Sequence, residues 1–267
     1  MPFIFFNKKC PFSVTFATTC YEKDWKSLLL EQNTLDEMIS NHSYPFMKKM
    51  LIINNVDVLN EVFKTAEELK KRKILTDIII AEEVENEILD FFHLKKSDFK
   101  TTKDAENYDD VDNNWIYYNA LAPLAAIFSC QTDYLLYMTG DVRVTKPVKW
   151  IEKAIQYLRK YPNCKVANLL WNNRKNEAKI QSYKKDRNFF FAKEGFSDQM
   201  FLIKAKDFKL PVYQEIRSDA NHFPRGDVFE KRVFSYLKNH GYERIIFRRR
   251  GFYEHKDTPC RHLTKHP

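Results

Sequence analysis

The residue best placed to do chemistry is Asp141, which follows the apolar run YLLYM and the pair Thr139-Gly140. A carboxylate at the end of a buried strand suits a hard cation that also binds phosphate oxygens, because Mg2+ and Mn2+ use few carboxylates and complete their shells on substrate. The competing reading is a turn aspartate that caps the next segment. Two other polar groups close apolar runs: Thr18, Thr19 and Tyr21 in the first, and Asn54, Asn55 and Asp57 in the second. If these runs are neighbouring strands, their ends line one crevice with Asp141, because ligands of open α/β sheets bind beyond the carboxyl ends of the strands.

The elements needed to build that crevice are legible. Residues 12–18, 49–54, 76–81 and 134–138 read as short, nearly continuous apolar strands. Helical spacing is expected over 24–39, from about 58 to 73 and from about 115 to 129, and residues 95–114 read as a surface loop. A helix opened by Pro147 and ended by Pro162 precedes a strand at 166–170. Residues 171–187 read as a hairpin or loop, 189–191 and 200–203 as short strands, and 227–240 as a helix closed by Gly241 in a left-handed cap. A strand at 245–247 leads into a basic tail bearing His255. Strands alternating with helices in this way imply one mixed α/β domain, its mostly parallel sheet covered on both faces.

Composition narrows the function. The chain has 267 residues, 44% hydrophobic, with a formal charge of +8, which favours anionic partners. It has five glycines, none before Gly140, so its first half carries neither a P-loop nor a G-x-G-x-x-G turn. The five cysteines are scattered without a C-x-x-C pair, which gives neither a disulfide framework nor a zinc knuckle and points to a reducing cytoplasm. Mean hydropathy is −0.55 and no run reaches the roughly 18 apolar residues of a spanning helix. The opening MPFIFFNKKCPF lacks the charge order and cleavage site of a signal peptide, so an unexported protein is expected. A basic nucleic-acid-binding module is the rival from another class, with 22 Phe and 14 Tyr as stacking surface. Against it, those aromatics lie largely in apolar runs that should form the core.

Three stretches carry a resemblance to a known family. YLLYMTGDVRVTKPVKWIEKAIQYLRKYP is similar to the apolar strand, D-x-D, Pro and amphipathic helix of family 2-like nucleotide-sugar glycosyltransferases of the GT-A fold. Asn119, in the helix before that strand, corresponds to an Asn often found there. GDVFEKRVFSYLKNHGY, residues 226–242, resembles the family's helix that starts with an acid and ends in Gly-Tyr. The first Asp of D-x-D is replaced by Thr139, leaving a degenerate Thr139-Gly140-Asp141 motif.

The resemblance implies a single GT-A-like catalytic domain over residues 1–267. Residues from about 12 to 145 would form a Rossmann-like nucleotide-sugar-binding half, and 146–267 an acceptor-binding half. It implies transfer of a sugar from a nucleoside-diphosphate sugar to a hydroxyl of a glycan, glycolipid or surface polysaccharide, with inversion. Mn2+ or Mg2+ would sit on Asp141 with His255 as a second ligand, and Gly140 would border the nucleotide. Asp227 would be the catalytic base, with a helix-start charge as its alternative role, and Asp198 is a competing base or acceptor contact. Thr18, Thr19, Tyr21, Asn54, Asp57 and Asn119 would hold the nucleotide, Tyr21 by stacking on the base. His222 has the same standing as His255 with less support. The run Arg248-Arg249-Arg250 suits pyrophosphate, an anionic acceptor or lipid headgroups, or else a charged strand edge that resists pairing. The expected protein is cytoplasmic, with peripheral contact at the inner membrane surface and no nucleic-acid partner. A sugar-nucleotide pyrophosphorylase would share the architecture but normally starts with a glycine-rich loop.

Overall fold

Strands that are apolar on both faces need cover on both faces, and alternate side chains here enter two separate cores. Phe16, Leu51, Leu136 and Leu202 face one layer, while Ala17, Ile52, Tyr137 and Ile203 face the other. The computed structural model describes residues 12–31, 34–99, 114–220 and 228–255. In chain order the elements are β1 (Val14–Cys20), α1 (Thr34–Ser40), β2 (Lys48–Ile53), α2 (Leu59–Lys71), β3 (Asp77–Ile80), α3 (Glu85–Phe92), α4 (Asn114–Ser129) and β4 (Tyr134–Met138). Then come β5 (Val142–Val144), α5 (Ile151–Lys160), β6 (Cys164–Trp171), α6 (Lys175–Gln181), β7 (Ser182–Lys185), β8 (Phe189–Ala192) and β9 (Met200–Lys204). The short α7 (Ala205–Phe208), α8 (Phe229–Asn239) and β10 (Glu243–His255) follow.

Among the described residues the strands form one sheet in the order β3-β2-β1-β4-β9-β6-β10-β8-β7, with β5 added on β10. The pairings set β1, β2, β3, β4, β6, β7 and β10 in one direction and β5, β8 and β9 in the other, so the sheet is mixed and mostly parallel. The chain steps outward from β1 to β2 and β3, then returns to the opposite side of β1 with β4. That reversal creates a crevice between the ends of β1 and β4, the position where α/β sheets bind ligands.

Several expected boundaries change. Thr18 and Thr19 lie within β1, not after it. The single helix expected over 24–39 is interrupted: a π-helix, Lys26–Leu30, ends where Glu31 turns extended (φ −65°, ψ 133°), and α1 begins at Thr34. Pro147 does not open a helix. The Val148 N–H donates to the Asn41 carbonyl (2.8 Å), which holds this segment out of helical geometry until α5 starts at Ile151. The stretch expected to be a hairpin or loop at 171–187 contains α6 and β7. The expected strand at 245–247 belongs to the thirteen-residue β10, which continues through the basic segment to His255. Gly241 takes φ 65° just past α8, as its position after the helix requires.

The large aromatic side chains pack inward, Trp25, Trp150, Tyr137, Tyr213 and Phe16 among them. This removes most of the surface on which bases could stack. Cys20, Cys130 and Cys164 are buried free thiols; Cys10 and Cys260 lie outside the described residues. Among the described residues, no helix is long and apolar enough to cross a membrane.

Candidate active site at the strand ends

Gly140 lets two loops meet. A Cβ there would lie 2.4 Å from the Thr19 carbonyl oxygen and 2.8 Å from Asp24 Oδ2, so only glycine allows the turn after β4 to approach the turn after β1. Asp24 shapes that second turn, its Oδ1 accepting the Tyr21 N–H at 2.8 Å. On the other side, the Thr139 N–H donates to the Gln199 carbonyl at 3.0 Å, which draws the loop carrying Asp198 to the end of β4.

The long β10 brings the last component. It pairs with β6 as far as Phe247, leaves the ladder over residues 248–251, rejoins at Phe252 and then runs antiparallel to β5, setting His255 opposite Val142. Asn172 Oδ1 accepts the His255 backbone N–H (3.1 Å), and His255 Nε2 lies 2.7 Å from Asp141 Oδ2. Both side chains are about four-fifths buried, 19% and 20% exposed. Burial opposes charge on Asp141, but the hydrogen bond and charge of His255 outweigh it and hold the carboxyl below its ordinary value.

Further acids surround this pair. Burial pushes the Asp24 carboxyl up to about 8, with Asp141 adding to the rise. Asp198 keeps an edge open to solvent yet is enclosed by protein atoms; burial, with a smaller push from Asp141, outweighs its backbone hydrogen bonds and the pull of His255 and raises it to about 6. Glu230, in the first turn of α8, is raised well above the usual carboxylate range by burial and then by Asp198, with Arg244 opposing. Arg143 of β5 balances the cluster, interacting with both Asp141 and Asp24. Its Nη1 donates to the Gly140 carbonyl (2.5 Å) and the Val142 carbonyl (2.7 Å), while its buried Nε and Nη2 have no hydrogen-bond partner.

Other polar atoms at the crevice are also buried without a partner: Thr18 Oγ1, Thr19 Oγ1, Asp24 Oδ2, Asn54 Oδ1, Thr139 Oγ1 and Asp141 Oδ1. Buried polar atoms are normally satisfied, so such a concentration at one place marks a site shaped for a polar ligand. Asn54 contributes Oδ1 alone, and other expected residues stay outside. Asn54 ties β2 to α4 through its Nδ2 bond to the Tyr118 carbonyl (2.8 Å). Asp57 and Asn119 are exposed, and among the described residues neither side chain forms a hydrogen bond. Asp227 and His222 lie outside the described residues.

Asp24, Arg143 and Glu230 were missed by sequence reasoning. Glu230 shares the GDVFEKR stretch with Asp227 and was the available second choice there. Asp24 and Arg143 gave no signal beyond proximity to a strand end.

The same architecture is found in solved structures. The chain aligns with the crystal structure of GalNAc-T7 with UDP, GalNAc and Mn2+ over 91% of its own length and 44% of that chain, with a TM-score of 0.52 and 11% identity. The chain has a GT-A fold. A mannosyltransferase from Pyrobaculum calidifontis, in complex with GDP-Man and Mn2+, aligns over 73% of this chain and 45% of its own (TM-score 0.42, 12% identity). CMP-2-keto-3-deoxy-manno-octonic acid synthetase complexed with CTP aligns over 91% and 89% (TM-score 0.46, 10% identity). The chain therefore spans less than half the length of the first two. Comparison with family models and with curated proteins finds no match.

The donor set at the GT-A crevice fits a divalent cation of a particular kind. Asp141 offers a buried unpartnered oxygen and His255 an imidazole nitrogen, and among the described residues no group of three or more His, Cys, Asp or Glu side chains is arranged to hold a metal. If these two side chains were ligands, most of the shell would fall to phosphate oxygens and water, the arrangement Mg2+ and Mn2+ adopt on nucleotides.

Proposed function

We propose that the chain transfers a sugar from a nucleoside-diphosphate sugar to a hydroxyl of a carbohydrate or glycolipid acceptor. The observation that carries this reading is the contact between Asp141 and His255 beside the β1–β4 crevice, where unpartnered carboxylate, hydroxyl and guanidinium groups converge. In this reading the half up to about residue 145 binds the donor, and the rest binds the acceptor.

Asp141 and His255 would hold Mn2+ or Mg2+, and the bound cation supplies positive charge to the diphosphate as it leaves. Arg143 offers its two unpartnered nitrogens to the same phosphate oxygens, a preorganised cation where negative charge develops. Of Thr18 and Thr19, which alternate across the sheet, one hydroxyl would reach the nucleoside beside Asn54 Oδ1 and the exposed Asp57, with Tyr21 against the base and Asn119 at the margin. The acceptor oxygen forms its bond to the anomeric carbon as the bond to the β-phosphate oxygen breaks, and the nucleoside diphosphate leaves with that electron pair. The acceptor's proton passes to a carboxylate, Asp198 or Asp227. Asp198, held at about 6, is mostly ionised at neutral pH and ready to accept it. Attack from the face opposite the leaving group gives inversion.

The test is thermal stability with a panel of nucleoside diphosphates, with and without Mn2+. One nucleotide should raise stability by about 2.7 kcal/mol at a hundredfold excess over Kd, more with Mn2+ than without, and oligonucleotides should not. A chain stabilised by oligonucleotides alone overturns the transfer reading.

A further inference from the structure

The excursion of β10 opens a second site. Residues 248–251 leave the ladder between Phe247 and Phe252. Gly251 permits the detour: its φ is 148°, and a Cβ would lie 2.6 Å from Val148 Cγ2. Between this bulge, the β5–α5 connection and the start of α6 lies a groove of about 890 Å3. Six of its lining residues are ionisable, Lys146, Lys149, Lys175, Arg248, Arg249 and Arg250, and no acid lines it. Among the described residues none of the six forms an ion pair, although the molecule uses carboxylates to neutralise Lys and Arg in many other places. Arg248 Nη1 donates to the Asp186 carbonyl (2.5 Å) and Arg249 Nε to the Arg187 carbonyl (3.3 Å), which ties both side chains to the β7–β8 turn.

Six cationic residues and no acid line one concavity, and a ligand bearing two negative charges balances that charge while accepting forked hydrogen bonds from arginine. The groove also adjoins the crevice. Asn172 holds the His255 backbone and its neighbour Asn173 lines the groove; Val144 pairs with Tyr253 and its neighbour Thr145 lines the groove. We propose that this groove binds the phosphate group of a phosphate ester, carried by a soluble molecule or by a lipid headgroup. That this ester is the acceptor rests on the transfer reading; its binding does not.

The experiment measures binding of glycerol 3-phosphate, and of phosphatidylcholine vesicles with and without phosphatidic acid, to the whole chain at low ionic strength. Two variants change opposite walls: Arg249→Gln with Arg250→Gln, and Lys146→Gln with Lys175→Gln. All four side chains are exposed, so the fold should survive. Each variant should weaken binding by about tenfold or more, the scale of a lost charged hydrogen bond. Neither should alter the response to nucleoside diphosphate with Mn2+, and Asp141→Asn should leave phosphate-ester binding intact. Binding of the soluble ester alone identifies a soluble ligand, and binding only to phosphatidic acid vesicles identifies a headgroup. No binding to either probe, undiminished binding in either variant, loss in Asp141→Asn, or tighter binding of an oligonucleotide that the same variants abolish would each overturn the proposal. Failure of the nucleotide response alone would remove the transfer reading and leave the groove standing.

Discussion

Asp24 keeps its proton in the folded chain up to about pH 8 because burial raises it from 3.8, whereas the unfolded chain releases that proton near the ordinary value. The folded state therefore binds more protons between those limits, so this carboxyl's contribution to stability is complete at low pH and is lost as pH rises from 3.8 to about 8. The expected slope is at most about 1.4 kcal/mol per pH unit. Denaturant melts from pH 5 to 8 should show it in the unliganded protein, and Asp24→Asn should flatten it. Asp141 has the opposite sign: its lowered value stabilises the fold at neutral pH and fails as acid protonates it. Asp141→Asn and His255→Ala should each remove the part of nucleotide stabilisation that depends on Mn2+, leaving a smaller metal-independent remainder, as read by calorimetric titration. Among Asp198→Asn, Asp227→Asn and Glu230→Gln, the variant of the true base should lose roughly 100-fold to 10,000-fold in turnover with binding retained. At this scale the sequence was partly transparent. A carboxylate after YLLYM could be read from its type and place, and a late histidine from the family resemblance, whereas Asp24 and Arg143 could not, since their importance comes from neighbours brought close by the fold.

The turn after β4 shows how closely an element's path depends on one residue. Gly140→Ala would drive a methyl group against the Thr19 carbonyl and Asp24. A cost of about 1–3 kcal/mol is expected, the usual range for overpacking, together with weaker nucleotide binding as the two loops separate; chemical denaturation and titration would measure both. Strands β1, β2 and β4 were visible as apolar runs because both their faces are buried. In contrast, β5 has three residues, too few for any period, and β10 loses its alternation where Arg248, Arg249 and Arg250 bulge from the ladder. The helix expected from Pro147 failed for a related reason, since the Asn41 carbonyl captures the Val148 N–H from a distant part of the chain.

Across the whole molecule, the alternation of strands and helices was enough to read β1 to β4, α2 and α4 in the first half, but neither the break before α1 nor α3. The second half is woven from antiparallel insertions, with β9 between β4 and β6 and with β8 and β7 beyond β10. Such pairings are set by tertiary packing, which local pattern does not record. Positive net charge, a global property, pointed to anionic ligands without locating them; the fold concentrates part of that charge around the β10 bulge.

The pairing of Asp141 with His255 joins the turn between β4 and β5, near the middle of the polypeptide, to the final strand described. During synthesis the early strands can already stack and bury their apolar faces, but the cleft gains its imidazole only when β10 docks. Because β10 also lies between β6 and β8 and buries Ile245, Phe247 and Tyr253, a polypeptide stopped after Tyr242 would bare the apolar flanks of both neighbours along with an unfinished centre, so the step that completes the cleft is the same step that seals the core.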